Sequence, residues 1–286
     1  MTTVISSINL KGGVGKTTIT VALGEFLAME HNKRVLIIDL DPQTNATVTL
    51  IDEENWAKRD RDGRTLLRLF KDRVEKKSEF DLSKTIIKSA SKVGNGIQNL
   101  DLLPSSLGLI EIQDQLPMIP SGNFFMTSPV SILFDAVSGV LNQYDYVLID
   151  CPPNLGIITL NGINFSDYFL IPVIPDILST YGIPQILSRM ESFRREKKSK
   201  SPMPLGIVIS MFRSQSTLHS TVIRDLKNKA SNGTYPRTFD TFIPLTTKTA
   251  DASDFSAPAN TLKQKYGYGK SYENFSKLTN ELLTYV

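Results

Sequence analysis

Short apolar runs alternate along this chain with longer segments whose apolar positions recur at helical spacing. The short runs are rich in β-branched residues, which is typical of strands buried on both faces of a parallel sheet. Strands are predicted at 3–9, 34–39, 98–103, 145–150, 168–173, 205–211 and 241–243. Helices are predicted at 17–31, 129–141, 177–198, 217–230 and 271–285. The alternation predicts a doubly wound α/β fold, in which helices cover both faces of a mostly parallel sheet.

A charged stretch interrupts this alternation at about 52–96. It contains an amphipathic segment at 65–77, which predicts a helix. The interpretation that we favour is a solvated helical cover over the edge of the sheet. A length of 286 residues permits two domains but is fitted most simply by one domain with insertions. We therefore expect residues 1–286 to form a single domain with an accessory helical insertion at about 52–96.

A glycine-rich loop joins the first predicted strand to the first predicted helix. Its residues are Lys11, Gly12, Gly13, Val14, Gly15, Lys16, Thr17 and Thr18. The glycines allow successive backbone N–H groups to approach phosphate oxygens, and the N-terminus of the following helix adds a partial positive charge. Lys16 is then expected to reach the β- and γ-phosphates, and the Thr17 hydroxyl to bind Mg²⁺. The sequence therefore predicts a P-loop that binds a nucleoside triphosphate.

Aspartates close two of the other predicted strands. Asp39 and Asp41 follow the apolar run that begins at Val35, and Asp150 follows the run that begins at Tyr146. Ligands of open α/β sheets bind at the carboxyl ends of the strands, and a carboxylate there can hold Mg²⁺ through its water shell. A solvated aspartate at the end of a strand is the alternative for any one of them. It is a poor explanation of a pair beside a P-loop.

The glycine loop departs from the generic P-loop pattern, because Leu10 stands at the first glycine position and Lys11 follows it. The segment instead resembles K-G-G-x-G-K-T, the deviant Walker A motif of the ParA/MinD ATPases. Two other segments are similar to motifs of the same family, namely Asp39-Leu40-Asp41-Pro42-Gln43 to D-x-D-P-Q and Asp150-Cys151-Pro152-Pro153 to D-x-P-P. The chain thus resembles a ParA-type ATPase, and the resemblance implies a fold of the P-loop NTPase type.

The resemblance to this family implies roles for the residues of the site. It implies that Lys11 contacts the nucleotide of the other subunit in a dimer, and that Asp41 positions the attacking water. It also implies that Asp39 supports the metal and phosphate shell, and that Thr17 and Asp150 organise Mg²⁺. The expected catalytic groups are Lys11, Lys16 and Asp41. The implied ligands are ATP and Mg²⁺.

A segment near the C-terminus, which runs from Phe242 to Lys248, resembles the family's I-P-x-x-x-[RK] element. The resemblance implies that Pro244 lies near the adenine and that Lys248 contacts DNA. Further cations considered for the same surface are Arg213, Arg224, Lys227, Lys263, Lys265 and Lys270. Each of these cations, taken alone, is explained more simply as an ordinary surface residue. The family's arginine is shifted here, since Gln215 stands at its place and Arg213 lies two positions earlier.

Composition narrows the classes of protein that fit. One cysteine and two histidines exclude a disulfide framework and a zinc cluster. No apolar run approaches the roughly 20 residues that a membrane-spanning helix needs. The predicted last helix has one lysine and two glutamates between Ser271 and Val286, unlike the basic amphipathic helix by which MinD proteins lie on membranes. We therefore expect a cytoplasmic protein without membrane contact, and the resemblance implies that it associates with the nucleoid.

The function implied by the resemblance is that of a cargo-positioning ATPase. Such a protein forms an ATP-dependent homodimer, binds DNA without sequence preference, and hydrolyses ATP when a ParB-like or adaptor protein stimulates it. The leading cargo is a plasmid or chromosome, and a protein organelle such as a carboxysome is the second choice. Two alternatives of other classes are a non-hydrolysing ATP-dependent scaffold and a metabolic P-loop enzyme such as a synthetase.

Overall fold

The computed structural model describes residues 1–118, 128–197, 201–245 and 259–286. Six parallel strands form one sheet in the order β3-β2-β4-β1-β5-β6. The strands are β1 (Thr3–Ser7), β2 (Val35–Asp39), β3 (Leu100–Leu103), β4 (Tyr146–Asp150), β5 (Tyr168–Val173) and β6 (Met203–Ile209). These are six of the seven predicted strands, and the predicted parallel sheet is confirmed.

The helices lie mainly in the connections between strands. They are α1 (Lys16–Met29), α2 (Asn45–Leu50), α3 (Glu53–Arg61), α4 (Leu66–Glu75), α5 (Leu82–Thr85), α6 (Leu109–Gln113), α7 (Ile132–Val137), α8 (Ile157–Ile163), α9 (Ile177–Tyr181), α10 (Ile183–Lys197), α11 (Thr217–Ser231), α12 (Leu262–Tyr266) and α13 (Lys270–Leu283). Short 3₁₀ helices occupy Leu116–Met118 and Ser138–Gln143. The fold is therefore a sheet wrapped by helices.

Both faces of the sheet are buried, as a doubly wound fold requires. Successive residues of a strand point to opposite faces. In β2, Leu36 and Ile38 join one apolar cluster while Val35 and Ile37 join the other. Helices α1 and α13 contribute to the second cluster, for example through Phe26, whereas α4, α7 and α10 contribute to the first. The predicted fold class is thus confirmed.

The prediction of a strand at 241–243 is wrong. The chain runs beside β6 here, and the backbone N–H groups of Phe239 and Ile243 donate to Ile207 and Ile209 at 2.9 Å. The contacts amount only to isolated bridges, one of which joins Phe212 to Pro244. Because proline has no N–H group, it cannot extend a ladder of backbone hydrogen bonds.

Two predicted helices are shorter than expected. The helix predicted at 177–198 is divided between α9 and α10 at Gly182, because Pro184 cannot donate the hydrogen bond that would continue α9. The helix predicted at 129–141 tightens after Val137 into a 3₁₀ helix. Residues 52–96 contain α3, α4 and α5, and Leu66 and Phe70 of α4 belong to the buried core. Helix α4 thus covers the sheet with an apolar face.

Candidate nucleotide-binding site

The glycine-rich loop leaves the carboxyl end of β1 and enters α1. Gly13 and Gly15 have φ angles of 72° and 83°, in the left-handed region that side chains disfavour. A Cβ atom on Gly15 would also lie 3.4 Å from Cβ of Ser210, at the end of β6. The side chain of Val14 is buried, and its carbonyl accepts a 2.6 Å hydrogen bond from Ser210 Oγ. The loop is therefore held against the sheet with its backbone turned outward.

This loop borders a cavity of about 340 Å³ at the carboxyl edge of the sheet. Gly15 caps α1 without a side-chain hydrogen bond, and the first turn of α1 has no acidic residue. The first N–H groups of the helix are thus available to an anion. The cavity is lined by Gly12, Gly13, Gly15, Lys16, Thr17, Thr18, Asp41, Gln43, Asn45, Val48, Thr49, Pro153 and Met211.

Lys16 is held inside the cavity wall and is only 6% exposed. Its Nζ atom donates to the carbonyl of Lys11 at 3.2 Å. Burial lowers the pKa of Lys16, while the nearby carboxylates of Asp150 and Asp41 act in the opposite direction. A bound polyphosphate would add negative charge beside this amine and so favour its charged form.

Thr17 and Asp150 are the two residues that were predicted to organise Mg²⁺, and the structure brings them into contact. The Thr17 hydroxyl donates to Asp150 Oδ2 at 2.6 Å, and Asp150 is fully buried. Within the described ranges, no hydrogen-bond partner is found for the other oxygen of Asp150, Oδ1. Burial raises the pKa of Asp150 to about 7. A buried, unpartnered carboxylate oxygen beside a threonine hydroxyl fits a hydrated Mg²⁺ ion, which would favour the ionised form.

The two aspartates at the end of β2 have different positions. Asp41 lines the cavity, and its Oδ1 accepts a hydrogen bond from the N–H of Gln43 at 2.9 Å. Asp39 is fully buried and does not line the cavity. Its carboxylate accepts from the N–H of Asp41 at 3.0 Å and from the N–H and hydroxyl of Thr47 at 2.8 and 2.7 Å. Asp39 therefore supports the backbone of the loop that carries Asp41.

Burial raises the pKa of Asp39 well above its ordinary value, and repulsion from Asp150 acts in the same direction. The two residues are paired across neighbouring strands β2 and β4. Two carboxyl groups are thus buried side by side below the cavity, where cations would relieve their repulsion.

Ser105 is a supporting residue that the sequence did not reveal. Its hydroxyl donates to the carbonyl of Asp41 at 2.8 Å, and its N–H donates to Thr47 Oγ1 at 3.0 Å. The indole N–H of Trp56, on α3, donates to the carbonyl of Ser105 at 3.1 Å. Helix α3 and the exit of β3 are therefore connected to the Asp41 loop.

Lys11 points away from the cavity that its own loop borders. Its Nζ atom lies 3.3 Å from Asp176 Oδ2 and 3.0 Å from Ser179 Oγ, and its side chain is 37% exposed. Asp176 caps α9 by accepting from the N–H of Ser179 at 2.6 Å. Burial alone would raise the pKa of Asp176, but hydrogen bonds from Ser179 and Lys11 outweigh it and lower the pKa.

The sequence missed the contact between Lys11 and Asp176. The spacing of Asp176 and Ser179 before an apolar helix is a helix-start signal, which could have identified the cap but not its distant lysine. Other cavity residues without a predicted role are Gln43, Asn45, Val48, Thr49, Pro153 and Met211. Of these, only Gln43 and Pro153 belong to a motif, namely D-x-D-P-Q and D-x-P-P.

Of the residues predicted to bind DNA, Arg213 and Lys263 lie at opposite edges of the sheet. Lys248 lies outside the described residues. Arg213 is exposed just beyond the carboxyl end of β6. Lys263 lies over the ring of Tyr272, which hydrogen-bonds Glu30 at the C-terminal end of α1, and hence at the opposite edge of the sheet. Lys270 begins α13 and is exposed.

Lys265 requires a correction. Its Nζ atom forms a 2.7 Å ion pair with Glu25 of α1, and the two side chains are 7% and 0% exposed. Glu25 also accepts hydrogen bonds from Tyr266 and Ser91 at 2.7 and 2.6 Å. A buried and paired ammonium group is not available to a phosphate backbone, so the expected DNA contact at Lys265 is wrong.

Pro244, which was expected near the adenine, does not line the cavity. Pro244 pairs with Phe212, and the neighbouring Met211 does line the cavity.

In the described part of the chain, no helix is both long enough and apolar enough to cross a membrane.

The loop, the cavity and the parallel sheet together define a P-loop nucleotide-binding protein of the α/β class. Residues 2–203 match the AAA_31 family, an AAA domain. The chain is 30% identical to the sporulation initiation inhibitor protein Soj of Bacillus subtilis over 255 residues, which cover 89% of each chain. It is 26% identical to the chromosome partitioning protein ParA of Caulobacter vibrioides, over 98% of this chain and 94% of that one.

A solved structure supports the same fold. The ATP complex of a variant of the Cyanothece protein McdA has a TM-score of 0.76 at 24% identity, and the match covers 100% of this chain and 97% of that one. This likeness concerns the fold alone. The match over residues 2–203 and the identity to Soj show that the chain belongs to the ParA/MinD family of P-loop ATPases.

Proposed function

We propose that this chain is a ParA-type ATPase that binds ATP with Mg²⁺, closes into a dimer, binds DNA without sequence preference, and hydrolyses ATP to reset the cycle. The observation that carries the proposal is the arrangement of Lys16, Thr17 and Asp41 around one cavity, with the buried Asp150 hydrogen-bonded to Thr17 and carrying an unpartnered oxygen. This arrangement combines an anion-binding loop, a metal-binding pair and a carboxylate that faces the ligand.

Binding of ATP follows from the loop and the first turn of α1. Backbone N–H groups from Gly12 to Thr18 would hold phosphate oxygens, and Lys16 would neutralise the β- and γ-phosphates. Thr17 and Asp150 would hold Mg²⁺, which when bound neutralises charge that develops on the phosphates. Pairing of Thr17 with Asp150 at 2.6 Å already places both oxygen groups together.

Hydrolysis would depend on Asp41. Its carboxylate lines the cavity and is fixed by the N–H of Gln43, so it can accept a hydrogen bond from a water that attacks the γ-phosphate. Asp39 accepts a hydrogen bond from the N–H of Asp41, and Ser105 donates one to its carbonyl, so both residues hold the backbone of Asp41 in place. The position of the attacking water would therefore depend on the hydrogen bonds that hold the Asp41 loop in place.

Dimer formation would give Lys11 its role. Lys11 does not line the cavity of its own chain, and its amine is exposed enough to exchange partners. In a two-fold dimer, Lys11 of each subunit would supply positive charge to the nucleotide of the other. The intrinsic rate of hydrolysis would be slow, since the ATP state must persist on DNA.

The biological role that we propose is segregation of a plasmid or chromosome, with a ParB-like or adaptor protein as the activator. The sequence similarity to Soj and to Caulobacter ParA supports this choice over the positioning of a protein organelle. We propose that residues 1–286 act as one ATPase domain with the accessory helices of 52–96, in the cytoplasm and on the nucleoid. Arg213, Lys248, Lys263 and Lys270 remain candidates for DNA contact.

A single-turnover assay tests the enzymatic proposal. Purified protein in excess over radiolabelled ATP, with Mg²⁺ and DNA, should convert ATP to ADP and phosphate, and Asp41→Ala should reduce the rate about 100-fold or more while retaining ATP. The matched control Asp240→Ala, an exposed aspartate distant from the cavity, should keep the wild-type rate. A wild-type rate no higher than that of Asp41→Ala would favour a non-hydrolysing scaffold.

ATP-dependent binding to DNA distinguishes the proposed function from the remaining alternative, a metabolic P-loop enzyme. Electrophoretic mobility of plasmid DNA should shift with ATP or a slowly hydrolysed analogue, but not with ADP. A metabolic enzyme would instead require a small-molecule co-substrate for turnover and would show no ATP-dependent shift.

A further inference from the structure

Ser105 uses all three of its polar groups to join separate segments beside the cavity. Its hydroxyl donates to the carbonyl of Asp41 at 2.8 Å, its N–H donates to Thr47 Oγ1 at 3.0 Å, and its carbonyl accepts from Trp56 Nε1 at 3.1 Å. Ser105 and Thr47 are fully buried, so each of these groups depends on its partner in the protein. Ser105 is therefore held between the Asp41 loop, α2 and α3.

Hydrogen bonds from Asp39 close a ring around the backbone of Asp41. The Thr47 hydroxyl, which accepts from Ser105, donates in turn to Asp39 Oδ2 at 2.7 Å. The other carboxylate oxygen of Asp39 accepts from the N–H of Asp41 at 3.0 Å. The N–H of Asp41 is thus held by Asp39 and its carbonyl by Ser105. A displacement of Ser105 would be passed directly to Asp41.

The accessory segment at 52–96 holds this ring from outside at two positions. None of the residues of α3 is fully buried, and Trp56 of this helix packs against the second apolar cluster while its indole N–H holds Ser105. Farther along the segment, Lys92 donates to the carbonyl of Val48 at 2.9 Å. Val48 lies on α2 and lines the cavity. The accessory segment is therefore a frame for the wall of the cavity that carries Asp41.

We propose that Trp56 and Ser105 are positioning residues for ATP hydrolysis. Helix α3 holds Ser105 through the indole N–H, and Ser105 holds Asp41 where its carboxylate can orient the attacking water. The inference rests on the proposed function, because it requires Asp41 to act on that water. Misplacement of a catalytic group by about 1 Å can cost about 100-fold in rate. Neither Trp56 nor Ser105 lines the cavity, so their loss should affect hydrolysis and not the binding of ATP.

A purely structural role for the two residues predicts a different result. Loss of a buried hydrogen bond lowers the free energy of unfolding wherever the bond lies in the protein. The folded protein that remains would then hydrolyse ATP at the normal rate. The rate of hydrolysis by the folded protein, measured separately from ATP affinity, therefore distinguishes a positioning role from a structural one.

Single-turnover hydrolysis, with protein in excess over Mg·ATP, measures the effect. Ser105→Ala removes the donor to the Asp41 carbonyl and should slow hydrolysis at least about tenfold. Trp56→Phe removes the indole N–H but keeps an aromatic ring, and it should slow hydrolysis about three- to tenfold. The Kd of each variant for a slowly hydrolysed ATP analogue should change less than about twofold.

The matched control is Tyr144→Phe. The Tyr144 hydroxyl donates a buried 2.7 Å hydrogen bond to Asp101, and Tyr144 precedes β4, at the edge of the sheet opposite the cavity. The control variant thus loses one buried hydrogen bond far from Asp41, and it should hydrolyse ATP at the wild-type rate.

A double variant tests whether Trp56 acts through Ser105. Effects of residues in one hydrogen-bonded network do not add, whereas those of independent residues do. The double variant of Trp56→Phe and Ser105→Ala should therefore lose less activity than the product of the two single losses. A loss equal to that product would show that Trp56 acts by another route and would overturn the proposed order of contacts.

The outcomes separate this inference from the proposed function. If Asp41→Ala is slow but Ser105→Ala and Trp56→Phe hydrolyse ATP at the wild-type rate, the two residues do not position Asp41, and the proposed ATPase stands. If Tyr144→Phe slows hydrolysis as much as they do, the losses reflect general stability, and the inference is wrong. If the wild-type protein hydrolyses ATP no faster than Asp41→Ala, both the proposed hydrolysis and the positioning roles are refuted.

Discussion

The two lysines of the nucleotide loop lie in contrasting surroundings. Lys16 is 6% exposed and borders the cavity beside Thr17 and Asp150, all within one chain. Lys11 points to Asp176 on the outer side, and its side chain is 37% exposed. The inner lysine thus lies beside the predicted nucleotide cavity, whereas the outer lysine pairs with α9 of its own chain. Five positions along the loop separate the lysine that borders the cavity from the lysine that contacts α9.

The largest expected effect comes from removal of the inner lysine. Lys16→Ala should weaken ATP binding about 100-fold or more, because it deletes charge-assisted hydrogen bonds to the phosphates. The matched variant Lys11→Ala should change ATP affinity less than about threefold and yet lose ATP-dependent dimerisation. Isothermal titration with Mg·ATP measures the first quantity and sedimentation the second. If both variants lost the same amount of ATP affinity, the proposed difference in role between Lys16 and Lys11 would be wrong.

An intermediate effect is expected at the buried carboxylate of the inner half. The folded-state pKa of Asp150 is raised to about 7, so its contribution to the free energy of unfolding is fully present below the unfolded-state pKa and is lost as pH rises through about 7. The Asp150→Asn variant has no carboxyl group at this position, so it does not lose stability in this way as the pH rises. In the presence of a chelator at pH 8, the free energy of unfolding of the variant should exceed that of the wild type by about 1–2 kcal/mol. This gain is smaller than the full pKa shift of Asp150 would allow, because the new amide also needs hydrogen-bond partners.

Thermal or urea unfolding at two pH values measures that change in stability. The gain from Asp150→Asn should be larger at pH 8 than at pH 5, and the variant should lose Mg²⁺-dependent hydrolysis. A variant that is less stable than wild type at both pH values would show that the ionised carboxylate is already neutralised within the chain.

The smallest effect is expected on the outer side. Asp176→Asn keeps a helix cap, since asparagine caps as well as aspartate, but it removes the ion pair with Lys11. Because partly exposed pairs are worth roughly 0–1 kcal/mol, the ATP-dependent dimer should become about two- to fivefold tighter as Lys11 is released. Asp225→Asn, which breaks the exposed pair with Lys229 on α11, is the control. A weaker dimer would mean that Asp176 assists assembly instead of competing with it.

The inner site could be predicted from sequence because it is built from contiguous motifs at strand ends. The turn at Gly13 and Gly15 and the neighbouring positions of Lys16 and Thr17 follow from local chemistry. The carboxyl ends of parallel strands then place Asp41 and Asp150 at the same edge. Strand limits were close for the same reason, since runs of apolar residues mark strands that are buried on both faces.

Contacts between distant segments could not be predicted in this way. Lys265 was considered as a cation for DNA, but it pairs with Glu25, which lies 240 positions away. Nothing in the sequence around Lys11 indicates Asp176, because the contact depends on how β1 and β5 align. The strand predicted at 241–243 failed because the apolar pattern does not record that Pro244 lacks a donor. Surfaces assembled from separate segments require the fold itself.

The hydrogen bond from Trp56 to Ser105 connects the indole ring to the loop that carries Asp41. Trp56 is the chain's one tryptophan, so its emission arises from a single position. The indole N–H binds the carbonyl of Ser105, whose hydroxyl binds the carbonyl of Asp41. A shift of the Asp41 loop on arrival or cleavage of the γ-phosphate would alter the indole's surroundings through two hydrogen bonds. Intrinsic fluorescence could thus follow the switch in unlabelled protein.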